Sequence, residues 1–491
     1  MKNRFKKIFA GLLSTAMLIG TVFTTSKPLE VNADDIIKSI NLDAALLAPS
    51  SGTWDPDNDH KVYFGKYNDN ETAFRVLKAD NENMMLDCDT ELRCGYFDNG
   101  YMNEWNGSEL DNWLNGEEYY ADDNVFTQLE RSAIVKTEIA AKDTHYVFQW
   151  LYKDSYVNSY IFLLSASEAK DLYESEEARV KEGYYGWYRL RSKDASGSNI
   201  SCISEGSIGY INSGFGFLLG ISPVFNLDMS YVMFASEITM DKTSELEAVA
   251  DNTSKEWKLT LSDNSKSVEV TSGEMVTGEG NIVTVPYTYS GDNVTQISVM
   301  ITDEAYDDSD AQTQILYYGA LQETDLSNTT GTGTFTLPDD LMDKLCGTDY
   351  HIYIIAEDVN GEKETDYAGE PVEIVPVYPV KINNGTEGGN YAAGNTITII
   401  ADAPAEGMQF KEWKVISGGV ILADASSSIT TFKMLQATVE ITAVYEKITV
   451  PDNPEDVPKV GDNTYLYCVI LLMAVSGMGV ILTSKKQKAN N

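Results

Sequence analysis

The spacing of hydrophobic and polar residues predicts three folded regions in this chain. Residues 34–240 combine short apolar runs, Asn-, Asp- and Gly-rich turns and helix-spaced apolar positions, which together predict an α+β domain. Residues 250–375 contain several short strands of alternating apolar and polar residues, a pattern typical of an immunoglobulin-like β-sandwich. Residues 377–447 repeat this alternation over a shorter length and predict a small all-β module.

Three helix starts stand out within the first region. Ser108 precedes a run of apolar residues at helical spacing, so we expect it to open a helix. Thr127 with Glu130, and Ser165 with Glu168, have the spacing of capping boxes, in which hydroxyl and carboxylate satisfy the first amides of a helix. These signals predict short helices among the strands.

The two ends of the chain are apolar and flanked by basic residues. Residues 1–33 carry a basic start, an apolar stretch and small residues suited to cleavage, so they predict a signal peptide. Residues 448–464 form a Pro-containing acidic spacer with a sorting motif, and 465–482 are an uncharged apolar run near the length of a membrane-spanning helix. The basic tail 483–491 predicts a cytoplasmic end. The expected location is extracellular, at the cell surface, with the C-terminus anchored to membrane or cell wall.

The segment before the apolar run has a pattern of its own. It reads Pro458, Lys459, Val460, Gly461 and Asp462. This segment resembles the cell-wall sorting signal of Gram-positive surface proteins, although Val460 stands where that family usually has Thr. The resemblance implies cleavage by a sortase and covalent attachment to peptidoglycan. If cleavage fails, the same segment remains a membrane anchor.

Five separated motifs follow one another along residues 55–235. They are Asn112-Trp113-Leu114-Asn115, Ser132-Ala133-Ile134, Leu163-Leu164-Ser165 with Glu168-Ala169, Gly186-Trp187-Tyr188-Arg189-Leu190-Arg191-Ser192, and Gly220-Ile221-Ser222-Pro223-Val224-Phe225-Asn226-Leu227. Together they resemble an uncharacterised domain common in exported multidomain proteins of Firmicutes. At fold level the later strands are similar to C-type-lectin-like folds, including the formylglycine-generating enzyme group, and such a likeness does not fix function. Ser222 replaces the family's usual Arg, whose role is therefore open here.

A second resemblance covers residues 377–447. Its pieces are Val380–Gly385, Tyr391–Ile399, Phe410–Trp413, Thr430–Met434 and Val439–Tyr445. Their order resembles the internalin-type B-repeat of bacterial surface proteins. The resemblance implies a small β module in which Trp413 packs in the core.

Composition narrows the classes of partner. The formal net charge of -39 repels phosphate backbones and anionic lipid, so we do not expect nucleic-acid binding. The 43% hydrophobic content is enough for folded cores. The chain has only five cysteines, so disulfides are not its scaffold. A small bridge between Cys88 and Cys94 is the alternative to free, buried thiols.

The sequence offers little catalytic chemistry. His60, His145 and His351 are not at metal-ligand spacing. The carboxylates are so numerous that solvated faces explain them, although two acids in residues 34–240 stay open as a glycosidase-type pair. No cofactor is expected. The stretch Asp55 to Asp59 imitates a calcium loop but lacks its Gly and closing Glu, which leaves calcium in another geometry as an alternative.

Aromatic residues mark the most suggestive surface. Tyr184, Tyr185 and Tyr188 surround Trp187, and Tyr210 follows in a glycine-rich stretch. Aromatic faces stack on sugars and anchor protein interfaces. We expect Trp187 to pack in the core and the four tyrosines to contribute to a binding face.

Three functions are compatible with these features. The preferred hypothesis is a non-catalytic, surface-anchored binding or adhesion protein, with residues 34–240 as a recognition head for a glycan or protein ligand. The first alternative is an exported hydrolase that acts on polysaccharide or peptidoglycan through paired carboxylates in that region. The second is a purely structural stalk or surface protein.

Overall fold

The protein consists of two compact units in the part of the chain that the structure, a computed structural model, describes. One unit comprises the described residues up to Val380 together with Gly389–Thr396 and Lys433–Val439, and the other comprises Lys381–Gly388, Ile397–Phe432 and the described residues from Glu440 onward. The described ranges are 37–98, 105–140, 156–184, 186–193, 199–212, 218–271, 276–277, 281–306 and 313–449.

Several sequence predictions lie outside these ranges. They are the signal peptide 1–33, the sorting motif within 448–464, the apolar run 465–482 and the basic tail 483–491. Among the described residues, no helix is both long enough and apolar enough to cross a membrane.

The first region is mostly β, with short helices. Its strands are β1 (Ile40–Asn41), β2 (Lys61–Tyr67), β3 (Asn70–Ala79), β4 (Asn83–Cys88), β5 (Arg93–Gly95), β6 (Ile134–Val135), β7 (Thr137–Ala140), β8 (Tyr156–Ser159), β9 (Trp187–Lys193), β10 (Asn199–Ser204), β11 (Ser207–Asn212), β12 (Leu219–Ile221), β13 (Val224–Asp228) and β14 (Val232–Glu237). Its α-helices are α1 (Glu109–Leu114), α2 (Gln128–Ala133) and α3 (Ala166–Asp171), with short 3₁₀ turns at Ala44–Leu47, Glu177–Arg179 and Met229–Tyr231.

The predicted helix starts are confirmed. The Ser108 side chain accepts a hydrogen bond from the Asp111 N–H at the start of α1. Both capping boxes are formed, by Thr127 with Glu130 at α2 and by Ser165 with Glu168 at α3. Each helix has only six residues, so these caps satisfy a large share of its unpaired amides.

The second region is a β-sandwich. Its strands are β15 (Glu247–Ala248), β16 (Glu256–Ser262), β17 (Ser267–Val270), β18 (Val276–Thr277), β19 (Ile282–Ser290), β20 (Gln296–Thr302), β21 (Ile315–Ala320), β22 (Thr330–Thr336), β23 (His351–Asp358), β24 (Asp366–Ala368) and β25 (Val372–Ile374), with a 3₁₀ turn at Asp339–Leu341. In one sheet β20 pairs with β21 and β23, and in the other β19 pairs with β17, β18 and β22. Val283 and Val285 of the second sheet share a buried core with Val299, Ile301 and Ile354 of the first. This confirms the predicted two-sheet packing.

One sheet runs through both regions. Strand β16 pairs antiparallel with β14 and parallel with β2 of the first region. It also pairs parallel with β24 of the sandwich. The segment between residues 240 and 250, where the sequence suggested a boundary, therefore lies inside a single compact unit.

The third region contains strands in both units. These are β26 (Val377–Asn383), β27 (Gly389–Ala392), β28 (Thr396–Ile400), β29 (Met408–Ser417), β30 (Ile429–Lys433) and β31 (Val439–Lys447). In the second unit β29 pairs antiparallel with β31 and carries Trp413, which is buried and donates a hydrogen bond from Nε1 to the Ser427 carbonyl at 3.1 Å. A Cβ at Gly385 would lie 2.7 Å from the Trp413 ring, so the close approach requires glycine there. The predicted core role of Trp413 is confirmed.

Asn115 ties α1 to the strand segment after β8. Its Oδ1 accepts hydrogen bonds from the backbone N–H groups of Tyr160 and Ile161, each at 3.0 Å. Its Nδ2 donates to the Ile161 carbonyl at 2.8 Å and to Ser159 Oγ at 3.0 Å. This single amide side chain therefore links the end of α1 to the backbone that follows β8.

We expect Asn115→Ala to lower the free energy of unfolding by about 2–3 kcal/mol, because it leaves backbone groups without partners. Urea unfolding followed by circular dichroism measures the change. Asn112→Ala, at an exposed position on the same helix, is the matched control and should change stability by about 0.5 kcal/mol or less. Equal losses in the two variants would contradict the role given to Asn115.

Candidate functional site

A five-stranded sheet in the first region carries two of the four tyrosines predicted for the binding face, Tyr188 and Tyr210. Its strand order is β11-β10-β9-β12-β5. In this sheet Tyr188 lies opposite Ile203 and Trp187 opposite Ser204. Successive residues of a strand point to opposite faces, so Trp187 and Tyr188 face opposite sides of the sheet.

The alternation at β9 is the reverse of the favoured prediction. Tyr188 is only 1% exposed, and its hydroxyl donates to the Arg179 carbonyl at 2.9 Å, so it belongs to the core and not to a surface face. Trp187, expected in the core, is 40% exposed. Both expectations are corrected, because the strand begins at Trp187 with its ring on the outer face and Tyr188 must then point inward.

The other predicted tyrosines do not share one face of the sheet with the exposed Trp187 ring. Tyr184 is 47% exposed in the turn before β9, and Tyr210 is 38% exposed on β11. Tyr210 lies opposite Ser201, three residues along β10 from the partner of Trp187, and on the opposite face from that ring. Tyr185 lies outside the described residues. Of the four, Tyr184 is the one that we place at the candidate site.

Glu91 is the residue that sequence reasoning missed. It is 5% exposed, and neither of its carboxylate oxygens has a hydrogen-bond partner among the described residues. Buried polar groups in proteins nearly always have partners, so an unpartnered carboxylate needs an explanation. The sequence contains 75 acidic residues and gives no signal that distinguishes this one.

Two glycines make room for the Glu91 side chain. A Cβ on Gly220 of β12 would lie 2.3 Å from its Oε2, and a Cβ on Gly183 would lie 2.5 Å from its Cβ. The Glu91 N–H donates to the Glu182 carbonyl at 2.9 Å, which holds the acid beside the turn that carries Tyr184. The arrangement places a buried acid next to the turn that carries an exposed aromatic residue.

The environment of Glu91 favours its protonated form. Burial raises the pKa of Glu91 to about 7, while the backbone N–H of Tyr184 and the ammonium of Lys181 moderate the rise. The N–H of Tyr184 faces the carboxylate without meeting hydrogen-bond geometry. Cys94 and Tyr188 are the other ionisable groups that interact with it.

A buried ion pair holds the turn in place. Lys181 Nζ lies 2.6 Å from Asp87 Oδ1 and 2.6 Å from Ser222 Oγ, and its charge lies 4.8 Å from the Tyr188 ring centroid. Tyr173 also donates to Asp87. Ser222, at the position where the resembled family has Arg, also donates to Asp87 Oδ1 at 3.1 Å, and Lys181 supplies the positive charge beside that carboxylate.

Two further hydrophobic residues are exposed next to strands β5 and β12. Leu219 lies opposite Gly95, so the next residues outward, Leu218 and Tyr96, come beside each other. Leu218 is 51% exposed and Tyr96 38% exposed. We call Glu91, Tyr184, Tyr96 and Leu218 the Glu91 site. It combines apolar contact area with a carboxylate that a ligand donor could satisfy.

A separate cleft of about 700 Å³ lies between strands and α3 of the first region. Its carboxylates include Glu168, which lies 2.5 and 2.8 Å from the guanidinium nitrogens of Arg191. Burial raises the pKa of Glu168, but the charge and hydrogen bonds of Arg191 outweigh it and the net pKa is lowered. Glu168 therefore stays ionised, which suits a structural partner of Arg191 better than a general acid.

The acidic loop considered for calcium closes on itself. Asp59 is buried and accepts a hydrogen bond from the Asp55 N–H at 2.6 Å, and Asn58 donates to Asp55 Oδ2 at 2.6 Å. Burial raises the pKa of Asp59 to about 6. Within the described residues, no group of three or more His, Cys, Asp or Glu side chains is placed to hold a metal ion.

The described cysteines are all unpaired. They are Cys88, Cys94, Cys202 and Cys346. The bridge between Cys88 and Cys94 is therefore not formed in this structure. Burial raises the pKa of the Cys88 thiol to about 12 and that of Cys202 to about 11, so neither is a reactive thiolate near neutral pH.

The raised pKa of Glu91 gives a stability prediction. The folded chain keeps a proton that the unfolded chain loses, so the free energy of unfolding should fall as pH rises from about 4.5 to about 7. Glu91→Gln should remove this part of the pH dependence and raise stability near pH 8 by on the order of 1–2 kcal/mol, allowing for solvent screening. Urea midpoints at several pH values measure it.

Glu118→Gln is the matched control, because Glu118 is exposed. It should leave the pH profile of the original chain unchanged. Parallel profiles for Glu91→Gln and the unaltered protein would contradict the proposed titration.

Comparison with known proteins adds two family matches. Residues 378–449 match the family described as a divergent InlB B-repeat domain, which confirms the predicted B-repeat. Residues 81–229, which include the Glu91 site, match a domain of unknown function (DUF6273). B-repeat domains are typical of surface proteins, so this segment indicates a surface or adhesion-type protein.

Whole-chain comparisons are less informative. None of the curated proteins matches the chain. Among solved structures, the chain is similar to one described as a marsupial T cell receptor, with 9% sequence identity, a TM-score of 0.14, and coverage of 51% of this chain and 86% of that chain. A likeness this low supports no argument about fold or function.

Proposed function

We propose that the protein is a cell-surface binding or adhesion protein without catalytic activity, and that its first region binds a glycan or protein ligand at the Glu91 site. The match of residues 378–449 to the B-repeat carries the proposal, because that module is typical of surface proteins. The predicted signal peptide and sorting motif support the same location. Anchoring would use the apolar run 465–482, with or without cleavage by a sortase.

The Glu91 site supports binding for an energetic reason. An unpartnered buried carboxylate destabilises the fold, while a ligand that donates a hydrogen bond to it would remove that cost. Tyr184, in the turn that hydrogen-bonds the Glu91 backbone, is exposed, as are Tyr96 and Leu218 at the ends of β5 and β12. These residues offer the apolar contact that sugar rings and protein side chains use. The acid and the aromatic ring thus combine the two kinds of contact that recognition needs.

The two alternatives have weaker support. A glycosidase needs one acid with a raised pKa and a second carboxylate nearby. In the 700 Å³ cleft, Arg191 lowers the net pKa of Glu168, which removes that residue as the proton donor. A purely structural stalk would have no use for an unsatisfied carboxylate beside exposed aromatic residues.

Binding can be tested with the full chain on a glycan array and by pull-down from surface proteins. We expect Tyr184→Ala to weaken binding roughly tenfold or more, the usual effect of losing a central aromatic contact. Tyr156→Ala is the matched control, because Tyr156 is a 57% exposed tyrosine outside the Glu91 site. No ligand above background in either assay, or equal losses in both variants, would contradict the proposal.

A further inference from the structure

Four ionisable side chains meet in the interior beside the sandwich. Lys242 is 2% exposed, Lys258 3%, and Glu357 and Asp366 are fully buried. Lys242 lies in the segment between β14 and β15, Lys258 on β16, Glu357 on β23 and Asp366 on β24. Burying four charges is costly, so their close association calls for a physical reason.

Lys242 touches both carboxylates. Its Nζ lies 3.0 Å from Asp366 Oδ2, 2.8 Å from Glu357 Oε1 and 3.2 Å from Thr260 Oγ1. The rings of Phe234 and Tyr318 lie over the same ammonium, with centroids at 4.8 and 5.5 Å. An amine and a carboxyl group are therefore held together, away from solvent, at hydrogen-bond distance.

The second oxygen of Asp366 faces positive charge. Asp366 Oδ1 accepts a hydrogen bond from the Asn360 backbone N–H at 2.7 Å and from Lys258 Nζ at 2.9 Å. Donors in this position polarise a carboxyl group and stabilise negative charge that develops on its oxygen during nucleophilic attack. Asp366 is thus the carboxyl group prepared for attack.

Glu357 is suited to carry a proton. Its Oε1 is next to Lys242 Nζ, while its Oε2 accepts hydrogen bonds from the hydroxyls of Ser298 and Tyr318. These contacts fix the carboxylate in one orientation, as a general base requires. Its other side-chain partners, Ser298 and Tyr318, are neutral hydroxyls, whereas Asp366 receives a second ammonium group from Lys258.

We propose that Lys242 and Asp366 join covalently in the folded protein, through an amide bond between Lys242 Nζ and Asp366 Cγ. Glu357 takes a proton from the Lys242 ammonium, and the neutral amine attacks Asp366 Cγ. The tetrahedral oxyanion is held by Lys258 and the Asn360 N–H. The second amine proton passes to the departing Asp366 oxygen. Glu357 returns its proton to the same oxygen, which then leaves as water. Ammonium and carboxylate become an amide and one water molecule, with no oxidant or external reactant.

The fold favours this reaction in two ways. Holding the amine and the carboxyl group in contact removes the entropic cost of bringing them together. Condensation also converts two buried charges into a neutral amide, which relieves the cost of keeping them away from water. The bond would link positions separated by 124 residues in sequence.

The same geometry selects the partners. Lys258 also contacts Asp366, but its other neighbours at 3.3 and 3.2 Å are the carbonyls of Asn360 and Gly361, which cannot take up its proton. Of these two lysines, Lys242 is the one that also contacts a second carboxylate, that of Glu357. The predicted bond is therefore specific to Lys242 and Asp366.

Peptide mass spectrometry of the full chain, purified in detergent and digested with chymotrypsin, tests the proposal. We expect the peptides that contain Lys242 and Asp366 to appear as one joined species, lighter than their sum by one water molecule. Fragmentation of that species should place the link between these two residues. Separate, unmodified peptides from the folded wild-type chain would overturn the proposal, as would a link at Lys258 or at Glu357.

Three variants test the assigned roles. Lys242→Met removes the amine and should abolish the joined peptide. Glu357→Gln keeps both reacting groups and should reduce it at least tenfold, so a full yield would refute the proton-carrying role. Lys266→Met is the matched control, because Lys266 is buried in the same region and pairs with Asp263 at 3.2 Å outside the cluster. It should retain the link. Circular dichroism on each variant shows whether a loss of the link accompanies a loss of fold, and the wild-type result stands independently of it.

Discussion

The pairing of strand β16 is the constraint on which the large unit depends. Its residues Glu256–Ser262 hydrogen-bond to β14 on one side, and to β2 and β24 in parallel register on the other. Trp257, Leu259 and Leu261 on this strand are fully buried. The partners of this strand come from both regions, β14 and β2 from the first and β24 from the sandwich. Its hydrogen bonds are therefore complete only when both regions are folded. The strand therefore makes one cooperative body from two sequence regions.

Charge is distributed unevenly between interior and surface. The chain has 36 basic and 75 acidic residues, yet among the described residues eight basic and seven acidic side chains are buried. The buried lysines and arginines pair with nearby carboxylates or donate to carbonyl oxygens. Lys181 pairs with Asp87, for example, and Arg75 with Asp89. A larger share of the basic residues than of the acidic residues is therefore buried, and the exposed surface keeps a strong excess of negative charge.

Local sequence signals predicted local structure well. The capping boxes at Thr127 and Ser165 and the core position of Trp413 follow from neighbouring residues, and all three are confirmed. The side of the sheet on which Trp187 lies could not be predicted, because a one-residue change in where a strand begins reverses its alternation. The burial of Glu91 could not be predicted either, because the glycines that make room for its side chain lie far from it in sequence and only the fold brings them beside it.

The inward placement of basic residues also affects how the protein meets proteases. Enzymes of the trypsin type cleave after Lys and Arg, and they need an accessible, extended backbone to do so. In the described chain Arg75, Lys181, Arg191, Lys242 and Lys258 are buried within one unit. Cleavage after them requires that unit to open, so digestion at these positions would follow unfolding and not precede it.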